Sequence, residues 1–295
     1  MPVARFRLLA VSVSLFAVGA CATDGAVLSE SVGKIRAGTA LAGQQSTIAL
    51  TAANTQAREQ AIEYKIADKS ITLREADFPL AASKEDILAW QTAFSALDQY
   101  MAALQRLVDP ARATATSDNI GALGTELQSG ALGLKLPSGT AEAFATLGGA
   151  LVQARAEHKA SDVMRRVDPA FRALMNAMAD AIGADDRANL RGTVRVNWEA
   201  ALGQLRTDYA LLSPSDLDGR RALAQQFVTM LDSRDASDAN LATLRTSLLA
   251  LAEAHTAAAA GNGGDALFWV GRISGWLDDV QKRIDATKKA GAGKQ

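Results

Sequence analysis

An all-α fold is the class this sequence predicts, and three observations predict it. Apolar residues recur at alternating three- and four-residue intervals, helix start signals fall between the apolar runs, and β-branched alternation at period two is absent. With 295 residues and 48% hydrophobic content, the chain is long enough to bury a sizeable core. The expected architecture is an elongated multi-helix antiparallel bundle with long amphipathic helices.

The elements follow in chain order. A long helix is expected from about Ser29 to Asp68, on a face rich in Ala, Thr and Gln whose larger apolar members are Leu28, Val32, Ile35, Leu41, Ile48, Ile62 and Ile66. So thin a stripe suits close helix packing or a partner's groove. Ser83 with Asp86 resembles a capping box and opens a helix over 84–108, whose stripe is Ile87, Trp90, Phe94, Leu97, Met101, Leu104 and Val108. Further helices are expected near 139–166, 169–182, 186–212, 214–232, 238–259 and 264–288. Their stripes are Val194, Trp198, Leu202, Leu205, Tyr209 and Leu212; Leu241, Leu244, Leu248, Leu251 and His255; and Val270, Ile273, Leu277, Val280 and Ile284. Ser213-Pro214 with Asp216 supplies a cap, a first-turn proline and an acid. "VDPA" occurs at Val108–Ala111 and again at Val167–Ala170, each an expected helix start or sharp kink. "GNGG", Gly261 to Gly264, is the clearest loop.

The amino-terminal end reads as a separate signal. Met1 to Arg7 hold two arginines and no acid, the run from Leu8 to Ala20 is apolar and too short to span a bilayer, and Gly19 and Ala20 are small. Val18, Gly19 and Ala20 preceding Cys21, the sole cysteine, resemble the lipobox of bacterial lipoproteins. That resemblance implies cleavage between Ala20 and Cys21, diacylglyceryl attachment to the Cys21 sulfur and acylation of the new amino terminus. Buried methylenes contribute about 0.8 kcal/mol each, so such a group would anchor the chain stably. Ala22 stands where an aspartate would favour inner-membrane retention, which implies the outer membrane, facing the periplasm. The expected organisation is a leader over 1–20, a lipidated tether over 21–28, a helical periplasmic domain over 29–290 and a frayed tail over 291–295.

Between Ala113 and Ala154 the pattern changes. Charges thin to Asp118, Glu126, Lys135 and Glu142, while glycine recurs at Gly121, Gly124, Gly130, Gly133, Gly139, Gly148 and Gly149. A closely packed central hairpin is the plain expectation; a membrane-active or apolar-ligand-binding hairpin is the alternative.

Few residues point to catalysis. The two histidines, His158 and His255, are far apart and lack the helical pairing of a zinc site, so no metal or other cofactor is expected. Nucleophile-elbow and phosphate-loop patterns are missing, and the neighbouring acids Asp185-Asp186 and Asp278-Asp279 point to different sides of a helix. With 31 basic against 32 acidic residues, the chain has no surplus positive charge for nucleic acid. Trp269 and Trp276, large rings on a stripe, are expected as core anchors, and His255, which continues a leucine stripe, as a core-edge histidine with a satisfied ring nitrogen. A ligand or partner cleft, if the bundle has one, would lie on these helices, with Phe268 beside Trp269. The expected function is a membrane-anchored helical interaction or scaffold module without catalysis, docking onto an envelope protein or onto copies of itself.

Overall fold

The computed structural model describes residues 14–67, 72–108, 140–157 and 160–292. Among them are seven α-helices, a 3-10 turn at Glu75–Asp77 and no strand: α1 (Ser14–Ala67), α2 (Lys84–Val108), α3 (Thr140–Glu157), α4 (Ala160–Ile182), α5 (Asn189–Leu211), α6 (Leu217–Ala259) and α7 (Gly263–Ala292). The all-α bundle is what the periodicity predicts.

α1 is the hub, in contact with α2, α5, α6 and α7. Its Ala, Ser, Thr and Gln face serves close packing: Ser31, Thr39 and Ser46 are buried, each hydroxyl donating to a carbonyl one turn back, so polar side chains enter the core without loss of hydrogen bonding. A Cβ on Gly43 would lie 2.8 Å from Phe94 of α2, so glycine there sets how closely the two helices approach. Arg36 reaches across to Asp98 with two hydrogen bonds, and the Asn54 amide both donates to and accepts from the backbone of Ala82. These contacts fix α2 antiparallel to α1.

α4 runs antiparallel to α6, and α7 runs back along α6 and parallel to α1. The resulting core joins Tyr100, Leu104, Phe144, Leu151, Met164, Phe171, Met175, Leu248, Leu251, Ile273 and Leu277 in one cluster. Each such side chain taken from water contributes about 1.5–3 kcal/mol.

Several boundaries differ from the sequence expectation. α1 begins at Ser14 and passes through 21–28, the stretch expected as a tether. The Ser83–Asp86 box forms in full: the Asp86 N–H donates to Ser83 Oγ at 3.0 Å and the Ser83 N–H donates to Asp86 Oδ2 at 3.1 Å. At the head of α6 the cap is Asp216, accepting from the Gly219 N–H at 2.9 Å, not Ser213. Pro169 interrupts nothing and lies inside α4. It is exposed beside Arg165, the residue whose carbonyl it leaves without a partner, so water can take that bond, while buried Val167 and Phe171 hold the helix in line on either side. The helices expected at 214–232 and 238–259 are one, α6, about 65 Å long at 1.5 Å per residue. It ends in a Schellman motif: the Asn262 N–H donates to the Ala257 carbonyl, the Gly261 N–H to that of Ala258, and Gly261 takes the required positive φ of 81°. The first "VDPA" after Val108, residues 113–139 of the hairpin expected over 113–154, and His158 lie outside the described residues, while 140–154 form part of α3.

Candidate interaction site

The residues expected to share a cleft are divided between core and surface. His255, in the second half of α6, is fully buried. Its Nδ1 is 2.8 Å from Asp168 Oδ1 of α4, its Nε2 is 3.0 Å from the Tyr100 hydroxyl of α2, and its ring stacks on Phe171 at 4.2 Å. Burial pushes His255 below the ordinary histidine range, only partly offset by Asp168. Burial also pushes Asp168 up, but its hydrogen bond from His255 prevails, helped by Thr256 and Arg172, and leaves the carboxyl below its usual range. The consistent assignment has a carboxylate accepting from Nδ1–H while Nε2 accepts from Tyr100, whose phenol burial keeps protonated. Every polar atom of the ring is used, so this histidine ties α2, α4 and α6 together inside the core.

Trp269 and Trp276 stand on the outer side of α7. Both are partly buried against the core, while Phe268 is 58% exposed. Arg272, one turn from each neighbour, lies over all three rings, with its guanidinium carbon 5.8 Å from the Phe268 centroid, 5.7 Å from Trp269 and 4.7 Å from Trp276. The tryptophans anchor α7, and Arg272 covers their outer faces.

A third place shows an apolar surface that the core does not close. α5 and the first half of α6 form an antiparallel two-helix arm. No residue of α6 before Leu241 is buried. At the arm's root, Arg191 grips Asp238 with two bonds of 2.8 Å and donates to the Ala184 carbonyl. Arg195 joins Asp186 to Glu199, and Arg234 also donates to Glu199. These charges hold the arm where α5 meets the body, and they account for Asp186 and the unbroken passage of α6 through 232–238.

Further out the cover ends. The stripe of α5 is buried through Leu205 but emerges at Tyr209. Leu205, Arg206, Tyr209, Leu223, Ala224, Phe227 and Val228 line a groove of about 320 Å³ between the two helices. Arg206 lies 5.2 Å from the Phe227 centroid and Arg220 4.0 Å from that of Tyr209, so two guanidiniums flank an apolar floor. Leu211 is 80%, Leu217 68% and Val228 55% exposed. Sequence reasoning assigned the α5 half of this surface to the core and missed the α6 half. An apolar stripe shows that a face wants cover, not whether another helix of the same chain supplies it.

At the opposite end of α6, its turn into α7 packs on the start of α1. Ser31 approaches the Gly263 carbonyl at 3.5 Å, and Val27, Leu28, Ser161, Arg165 and the Gly261–Gly264 turn line a cavity of about 630 Å³. Cys21 falls within α1, six residues before Val27, though its side chain, like that of Ala20, lies outside the described ones. Among the described residues no cluster of His, Cys, Asp and Glu suits a metal ion, and no helix is long and apolar enough to cross a membrane.

The chain matches no family model, no curated protein and no solved structure.

Proposed function

We propose that this protein is a lipid-anchored interaction module of the bacterial envelope, held by an acylated Cys21 in the outer membrane and acting in the periplasm through the α5–α6 arm. The observation that carries the interaction half is the arm itself. A helix of a monomeric bundle ordinarily buries one face along its length, yet no residue of α6 before Leu241 is fully buried, and Leu223, Phe227 and Val228 face α5 across an open groove. The anchor rests on the leader and on Val18-Gly19-Ala20-Cys21. Under this reading the α6–α7 turn lies at the anchored end, because it packs on Val27 and Ser31. The arm tip then stands about 60 Å away along α6. Such a layout keeps the core near the bilayer and holds out an apolar surface for docking. Apart from the lipidation of Cys21, no covalent chemistry is asked of any side chain.

The two halves are tested separately. Intact mass of the mature protein from its own membranes should show a chain beginning at Cys21 with the added mass of a diacylglyceryl group and an acyl chain. Cys21→Ala should partition into the aqueous phase of a detergent separation; recovery of the parent protein there, unmodified, would refute the anchor. For the interaction, a photo-cross-linking residue at position 228 should capture protein in living cells while one at the exposed Leu88 should not. Equal silence at both positions would refute the arm as a docking element.

A further inference from the structure

We infer that the occupant of the arm's groove is the arm of a second copy of this chain, so that two arms close into a four-helix bundle about a twofold axis. The inference rests on the proposed role of the arm and names its partner.

Charge argues for self-pairing. From Gly203 to Met230 the charged residues are Arg206, Asp208, Asp216, Asp218, Arg220 and Arg221, three of each sign. A twofold interface lays one patch on itself, so a surface of a single sign would repel its copy, whereas this one can place arginine against aspartate. The same neutrality offers nothing to anionic headgroups or nucleic acid. Arg221 and Asp218 already pair at 3.2 Å, and Arg206 and Arg220 lie folded over rings at the groove's edge.

Shape agrees. The groove runs between two antiparallel helices, and the exposed Leu217 and Val228 stand along its rim, so a rotated copy offers a rim to each groove. Over the free stretch, 203–211 and 217–230, the helices are about 14 and about 21 Å long and together about 20 Å wide. The face thus measures on the order of 350 Å² per copy, under half the ~800 Å² per partner of a standard stable interface, so the contact is expected to be weak and reversible. Tyr209 and the two arginines are of the residue types that dominate such contacts. Anchoring both copies in one membrane would raise their effective concentration further.

The test uses the full-length lipoprotein in mild detergent. Light scattering after gel filtration should give a dimer at high protein concentration that dissociates on dilution. Val228→Cys should form a covalent dimer with a short bismaleimide, whereas Leu88→Cys and the parent chain should not. Val228→Glu, at an exposed position, should weaken the dimer at least tenfold without changing the helical circular dichroism. A monomer at every concentration, with no cross-linking of Val228→Cys above the Leu88→Cys control, would overturn self-association. Photo-cross-linking from position 228 then separates the two failures: capture of a different protein keeps the arm as a docking element and removes the second copy, and capture of nothing removes both.

Discussion

His255 joins three helices through one ring, and its surroundings fix the direction of its pH response. The group's ordinary pKa is 6.5 and burial lowers it in the folded chain. The unfolded chain therefore binds a proton first as pH falls, so this contribution to stability is complete above about pH 6.5 and declines below it, by up to ~1.4 kcal/mol per pH unit. Asp168 is also lowered, and its contribution persists above the ordinary carboxylate range and is lost in stronger acid. Around them, Tyr100 stays protonated, and Arg172 is held by Glu253 at 2.7 Å. Thermal denaturation at pH 7.5 and 5.5 should give a lower midpoint in acid, and His255→Gln should shrink the difference; an unchanged difference would mean that other groups set it. His255→Leu leaves Tyr100 and part of Asp168 without partners and should cost about 2–4 kcal/mol in chemical denaturation.

At the scale of the element, α4 and α6 show tertiary contacts overriding local signals. Pro169 is tolerated because its neighbours Val167 and Phe171 are buried and Asp168 is bonded to His255 and Thr256, all of which need the helix to continue. Pro169→Ala restores the bond to the Arg165 carbonyl at an exposed site. Part of that gain is offset by a freer unfolded chain, so a net stabilisation of about 1–2 kcal/mol is expected in urea titration. The head of α6 hangs on one cap, and Asp216→Ala should cost about 1 kcal/mol or less, confined to the arm. Local cues were legible where they act alone, as in the Ser83–Asp86 box and the Gly261 turn. They misled where distant partners decide: nothing near Ser233 or Ser237 in the sequence tells that Arg191 and Glu199 will hold α6 straight through that segment.

Across the whole molecule, stability should divide with burial. The second half of α6 lies in the core beside α4 and α7, while no residue of the first half is fully buried. Hydrogen exchange should find the amides of 217–240 opening well before those of 241–259 in the isolated monomer, and protected in the dimer. Uniform protection along all of α6 in a verified monomer would show that the arm is as firmly built as the body. The sequence by itself determined the helical class, the core stripes of α2, α6 and α7 and the capping box, because periodicity and caps are written in neighbouring residues, and the proposed address at Cys21 rests on the sequence alone. Only the tertiary structure decided that His255 meets Asp168 and Tyr100, apart from the tryptophans of α7, that α6 is a single helix, and that the stripe of α5 surfaces at Tyr209. Those outcomes depend on which helices meet, and a stripe records only that it needs a neighbour.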